Sequence, residues 1–401
     1  MFYYNAMIKY TVPYDWIRYD FVKVANELML ARAAILSLTN IPYQRSWTEQ
    51  LQVVQLKREV AGTSRIEGAD FTDRELDAAM NESPEQLHTR SQRQAAAAVK
   101  TYRWIAGLPA DRPIDAALIK ETHRYIVVGA DDDHCPPGQL RGRDVNVTFG
   151  IPPHRGADGG EECEAAFNGL CRAAQQEFLQ HDPLIQALAL HYHFAAMHPF
   201  LDGNGRTARA LEALMLQRVN LKDTLFIAMS NYYYEEKNSY LKALASVRAA
   251  DHDLSDFLVF GLKGIAVQCT RLFDEIRKNV AKALFRNVMY DLFNRLRTPR
   301  KRVIVERHVD ILKRLLAVDK LTLEELSEQT LVVYKQLKNP GKALIRDINY
   351  LLRLKAIGFN KLPENRYEIF ARLQWPTEIT ETDFFRSVKE MPKAKTHGFL
   401  S

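Results

Sequence analysis

The chain has 401 residues, of which 47% are apolar and 26% charged, with four cysteines and a formal net charge of +6. These values are those of a soluble globular protein of two or three domains, and they exclude a disordered chain and a disulfide-stapled scaffold. No apolar run approaches the roughly eighteen residues of a membrane-spanning helix, so no membrane partner is expected.

The N-terminus, Met1-Phe-Tyr-Tyr-Asn, lacks the basic and apolar stretches of a secretory signal. Cys135, Cys163, Cys171 and Cys269 show no C-x-x-C spacing, so they read as reduced, buried thiols in a cytoplasmic protein without structural zinc. The charge is uneven. Residues 299–373 carry 16 Lys/Arg against 9 Asp/Glu, an excess of +7, which leaves the rest of the chain at −1.

Five regions follow from patterning. Residues 1–110 form an N-terminal helical region, 111–255 a core, 256–298 a helical scaffold, 299–375 a separate basic domain and 376–401 a polar tail, read as mobile. Within the first, residues 45–67 have regular helical spacing of Leu51, Val54, Leu56 and Val60, and Gly68 suits the left-handed residue after a helix end. Glu67 then stands at the negative end of that helix, where a carboxylate is mildly disfavoured; something positive nearby would offset this, and the alternative is a solvated surface glutamate.

In the core, Val145 and Val147 alternate with Asn146 and Thr148 before Gly150-Ile-Pro-Pro153, which predicts a short strand or hairpin over residues 145–153. Arg141 and Arg143 beside it are expected to be solvated. Asp182-Pro183 then reads as an N-cap with proline at the first helical position, opening a helix over residues 184–197. Pro199 ends it, Gly203 and Gly205 allow a tight bend, and helical spacing resumes from Arg206.

This helix–loop–helix is an anion site. The free N–H groups and positive end of the second helix face the loop. Arg206 and Arg209 share one face of its first turn and suit adjacent phosphates. Asp202 is a hard oxygen ligand placed for a phosphate-bound Mg²⁺, and His198 is a base that works near neutrality. A dinucleotide fingerprint is excluded because a helix rather than a strand precedes the glycines, and no P-loop pattern occurs.

The segment His198-Pro-Phe-Leu-Asp-Gly-Asn-Gly-Arg-Thr-Ala-Arg209 resembles the H-P-F-x-D-G-N-G-R-x-x-R signature of the Fic family, with every specified position filled. The resemblance implies a mainly α Fic fold with a small β-hairpin flap, and transfer of AMP from ATP to a protein Ser, Thr or Tyr hydroxyl, including hydroxyls of the chain itself. It implies that His198 is the general base, that Asp202 binds Mg²⁺, and that Gly203, Asn204 and Gly205 cradle the α- and β-phosphates. Arg206 would reach the β-phosphate and Arg209 the γ-phosphate, with Thr207 and Ala208 in the same nucleotide-binding run. Thr63-Ser-Arg-Ile-Glu67-Gly68 is similar to the family's inhibitory motif in its N-terminal (class II) placement. That likeness implies that Glu67 pairs with Arg209 in the same chain. The flap would hold the target protein by backbone pairing, and Tyr234 would wall the nucleotide base, although a tyrosine cluster at this spacing is more often core.

Residues 251–297 read as one long helical region broken near Gly261 or Gly264. Beyond Thr298-Pro-Arg-Lys-Arg302, helical segments at 303–317, 323–328 (capped by Thr322) and 342–356 precede two short strands around Pro363-Glu-Asn365. That order is a winged helix-turn-helix, whose third helix would be the recognition helix, presenting Lys342, Arg346, Arg353 and Lys355 to DNA or a protein partner. The alternative functions are a DNA-binding regulator that uses the Fic site as a nucleotide sensor, and an enzyme that removes AMP. A homodimer is left open.

Overall fold

The computed structural model describes residues 8–41, 45–81, 87–150, 152–219, 227–296 and 299–389. The chain is mainly helical and divides into two compact units, Met1–Asp274 and Glu275–Ser401. The basic tail ending in Lys393-Ala-Lys-Thr-His-Gly and the first five residues lie outside the described residues. Among the described residues, no helix is long and apolar enough to cross a membrane.

The N-terminal unit opens with α1 (Phe21–Asn40), α2 (Arg45–Ile66), α3 (Asp73–Asn81), α4 (Arg90–Ala106) and α5 (Ala116–Val127). A hairpin of β1 (Thr148–Phe149) and β2 (His154–Arg155) follows, in the register Thr148↔Arg155 and Phe149↔His154. Next come α6 (Glu161–Gln175), α7 (Pro183–Met197), α8 (Asn204–Gln217), α9 (Met229–Glu235), α10 (Lys237–Ala249) and α11 (Ser255–Asn294).

The expected start of α7 is realised, with Asp182 accepting from the Leu184 N–H and Pro183 in the first turn. Almost every side chain of α7 is buried, from Leu184 to Met197. A helix apolar all round has to lie inside a core, and each fully buried Leu or Phe contributes about 1.5–3 kcal/mol. α8 packs back along α7, while α2 packs on α9. The ends of these central helices therefore meet at one place.

Two expectations about local structure are corrected. The expected hairpin is present, but its strand pairing is confined to β1 and β2 and residues 145–147 are not strand; Gly156 N–H reaches the Val147 carbonyl at 3.2 Å. The hairpin also gains a third backbone partner, because Tyr10 N–H donates to the Arg155 carbonyl and Arg155 N–H to the Ile8 carbonyl, both at 2.9 Å. Second, α11 is unbroken through Gly261 and Gly264. A Cβ at Gly261 would strike Leu188, and one at Gly264 would strike Tyr232. These glycines serve close helix packing rather than a bend.

The C-terminal unit contains α12 (Pro299–Ala317), β3 (Leu321–Thr322), α13 (Leu323–Tyr334), α14 (Pro340–Arg353), β4 (Ile357–Lys361), β5 (Tyr367–Ala371), α15 (Trp375–Glu378) and α16 (Glu381–Lys389). Its antiparallel sheet has the order β3-β5-β4. Thr322 caps α13 through a capping box with Glu325. α13 runs longer than the pattern suggested, and α14 starts and stops earlier than residues 342–356. The core gathers Ile311, Leu326, Ile348, Leu351, Ile369 and Trp375.

Candidate active site

The site lies where α7 stops and α8 starts. His198 caps α7 in a left-handed conformation, φ 54° and ψ 60°, which costs a non-glycine residue about 1 kcal/mol or more. Its ring Nδ1 lies 3.1 Å from the Ala195 carbonyl. A carbonyl only accepts, so Nδ1 carries the proton and Nε2 is left as the basic atom. Phe149 of β1 stacks on the imidazole at 3.7 Å between centroids. Burial pushes the His198 pKa down to about 4, against the pull of the Ala195 carbonyl and Glu67.

Gly203 turns the loop at φ 73° and receives the Asp202 side chain on its N–H at 2.5 Å. The Asn204 side chain is spent on the loop itself, accepting from Phe200 N–H at 2.9 Å and donating to the Phe200 carbonyl at 2.8 Å. Only its backbone N–H, with those of Gly205 and Arg206, remains for an anion at the helix start. His123 braces the same loop. Gly138 N–H donates to its Nδ1, so Nε2–H donates to the Asp202 carbonyl at 3.0 Å, and burial lowers its pKa to about 4.

Both arginines are buried. Arg206 is held by Asp131 at 2.6 Å and by Asp202 at 3.3 Å, and its Nε has no partner. Thr207 Oγ is likewise buried without a partner, and Ala208 packs in the core. Arg209 donates through Nε to Thr63 Oγ at 2.9 Å, and through Nη2 to the Thr63 carbonyl at 3.1 Å and to Glu67 Oε1 at 2.6 Å. Glu67 lies just past α2, followed by Gly68 at φ 92°. Its carboxylate reaches so close to α8 that a Cβ on Gly205 would overlap it. The structure thus brings Thr63 and Glu67 to Arg209.

Tyr234 stands apart from its neighbours. Tyr232, Tyr233 and Tyr240 are buried, whereas Tyr234 is 40% exposed beneath the Arg65 guanidinium, 5.9 Å from its ring centre.

Several residues of the site carried no signal in sequence. Arg141 was expected to be solvated and is buried instead. Its guanidinium donates to the carbonyls of His198 (2.7 Å), Val145 (2.7 Å), Ala157 (2.5 Å) and Met197 (3.4 Å). It satisfies the carbonyls at the negative end of α7 and joins them to the base of the hairpin. Arg143 is exposed, as expected. Asp131 is fully buried and also takes Arg90 at 2.6 Å. His134 bonds Asp202 at 2.9 Å. Asp131, Asp133 and His134 belong to an acidic run after α5 that no spacing rule connects to the loop.

The fold and site define a helical protein with an anion cradle and a base at one helix–loop–helix. Residues 113–216 match the Fic/DOC family. Two curated proteins named protein adenylyltransferase Fic are similar to it. That of Nematostella vectensis is 32% identical over 124 residues, 30% of this chain and 27% of that protein. That of Culex quinquefasciatus is 32% identical over 114 residues, 28% of this chain and 22% of that protein. The matched stretch thus spans about a quarter of the length of these relatives. Among solved structures, a Fic family protein from Desulfovibrio desulfuricans G20 has a TM-score of 0.57 at 17% identity, covering 89% of this chain and 98% of that one. Fic-1 from C. elegans has a TM-score of 0.52 at 18% identity, covering 64% and 74%. The fold is a Fic fold.

Proposed function

We propose that the chain is a protein adenylyltransferase whose own Glu67 holds it in check. A hydroxyl of a target protein attacks the α-phosphorus of ATP, the bond to pyrophosphate breaks, and the hydroxyl proton passes to His198 Nε2. The amides at the start of α8, with Arg206 and Arg209, meet the phosphate charge by position rather than by covalent chemistry. The hairpin beside Phe149 would register the target segment, as strand addition does elsewhere.

The reading rests above all on the Glu67–Arg209 pair beside a basic Nε2. A carboxylate seated against the first turn of α8 occupies ground that an anionic ligand would compete for. Asp202 fits a phosphate-bound divalent cation, since its carboxylate is partly exposed. Such a cation would neutralise phosphate charge.

Incubation with ATP labelled at the α-phosphate tests the proposal on wild type, Glu67→Gly, and Glu67→Gly with His198→Ala. Self-labelling should rise in the single variant and vanish in the double. Label in none of the three, with ATP still bound, would leave either another nucleotide donor or a nucleotide sensor, which needs the arginines but no base. One observation favours a separate role for the C-terminal unit as a winged helix on DNA: Lys342, Arg346, Arg353 and Lys355 are all exposed. A DNA mobility shift that is lost in Lys342→Ala with Arg353→Ala checks it.

A further inference from the structure

We infer that His134 is a second protein ligand for the cation at Asp202, making an aspartate–histidine site that favours Mn²⁺ and neighbouring transition divalents over Mg²⁺. The inference rests on the nucleotidyl-transfer reading of Asp202.

Asp131, His134 and Asp202 each offer a ligand atom, and these atoms lie within 4.8 Å of one another. Asp131 is already spent, because Arg90, Gln94 and Arg206 take both of its oxygens. Asp202 Oδ1 is likewise taken by the Gly203 N–H and Arg206, which leaves Asp202 Oδ2 and His134 Nε2, both on partly exposed side chains. His134 Nε2 stands 2.9 Å from Asp202 Oδ2. Adjacent ligands of an octahedral cation with bonds of about 2.1 Å are roughly 3.0 Å apart. The two atoms are thus already at the separation of adjacent ligands, and the imidazole has only to turn to bring Nε2 onto a cation beside that line.

A second observation lies outside that pair. His134 Nδ1 is 2.7 Å from Asp133 Oδ1. A carboxylate on the far nitrogen is the arrangement that orients metal-bound imidazoles and raises their basicity. With Nδ1–H given to Asp133, Nε2 is the nitrogen that faces the Asp202 carboxylate. The Arg90 guanidinium nitrogen is 3.3 Å from each of these two atoms. A divalent cation would take a place beside them, and Arg90 stays anchored on Asp131 at 2.7 Å. An imidazole ligand moves a site's preference from Mg²⁺ toward Mn²⁺ and later metals.

The opposing account is that His134 is only an imidazolium paired with Asp202, and so competes with metal. The two accounts predict opposite signs. The full chain carrying Glu67→Gly is mixed with Mn²⁺ and a non-cleavable α,β-methylene analogue of ATP, and bound Mn²⁺ is followed by electron paramagnetic resonance, with Mg²⁺ affinity from competition. His134→Ala should weaken Mn²⁺ by about 10–100-fold and Mg²⁺ far less, and should erase the nitrogen coupling of an imidazole on the bound ion. His134→Ala that leaves Mn²⁺ unchanged, or binds it more tightly, overturns the inference and spares the reading of Asp202. Asp202→Ala that leaves Mn²⁺ binding intact overturns both.

Discussion

Glu67 Oε1 lies 2.6 Å from the Arg209 guanidinium, at the point where the end of α2 meets the start of α8. A carboxylate at the end of its own helix is disfavoured, but the same carboxylate at the start of another is favoured. The positive charge that offsets Glu67 is therefore Arg209 together with the α8 dipole. Lys237 completes the junction by donating to the last α2 carbonyl, that of Ile66, at 2.9 Å. Glu67 is an ion-pair partner, and Thr63 on the same helix fixes the angle of the guanidinium.

That relationship dictates how the proposed inhibition responds to acid. Burial works to raise the Glu67 pKa, and the Arg209 charge overrides it, so the carboxyl sits below its ordinary value of 4.5. A depressed folded pKa gives a contribution that is present above the unfolded value and lost only as pH falls through the folded one. The rate ratio of Glu67→Gly to wild type should thus stay flat between about pH 5.5 and 8. A ratio that collapses toward one as the pH drops to about 5.5 would mean that Glu67 is protonated there.

The Phe149–His198 stack makes a second pH prediction. Burial holds His198 near 4, so its Nε2 is free of a proton throughout the neutral range. Phe149→Ala opens the ring to water and returns its pKa toward 6.5. In the Glu67→Gly background, the acid limb of kcat/KM should move up by about one to two pH units. An unmoved limb would show that Phe149 is not what desolvates the base.

Arg141 has four backbone carbonyls around its guanidinium. Arg141→Ala orphans buried carbonyls at roughly 1–3 kcal/mol for each left without water, and it frees the His198 backbone from the hairpin. Thermal stability should fall by several degrees. Self-labelling in the Glu67→Gly background should fall by tenfold or more, as loosened catalytic geometry does, while ATP affinity holds. Arg141→Lys, with one point of donors in place of a fork, should recover stability better than rate. Full labelling in Arg141→Ala would remove its positioning role.

These residues also mark the limit of what the sequence discloses. The stretch from His198 to Arg209 is legible because its base, carboxylate, glycines and arginines are neighbours in the chain. Glu67 is legible because a carboxylate before a helix-ending glycine is an electrostatic anomaly. Arg90, His123, Asp131, His134 and Arg141 reach the loop from 57 to 112 residues away, and no periodicity encodes such a contact. Gly261 and Gly264 mislead for a related reason, since a glycine that admits Leu188 or Tyr232 looks in sequence like one that breaks a helix.

Asp347 allows a test of the C-terminal unit on its own terms. It is buried on α14, taking Arg307 Nε at 2.7 Å and Tyr334 Oη–H at 2.9 Å. Burial alone would raise its carboxyl, but the His308 imidazole and the Arg307 guanidinium hold it well below the usual carboxylate range. Its stabilisation is accordingly present above the unfolded value near 3.9 and is lost only in stronger acid. Asp347→Asn leaves Arg307 buried without a counter-charge, which costs about 3–5 kcal/mol. Arg307→Met with Asp347→Leu and Tyr334→Phe removes both charges and the hydroxyl that donates to Asp347, and should recover most of that loss, because the apolar set escapes the desolvation penalty. Hydrogen exchange across α12 and α14 reads the effect locally. Asp347→Asn within about 1 kcal/mol of wild type would mean that water reaches the pair and that its burial is not what holds α12 to α14.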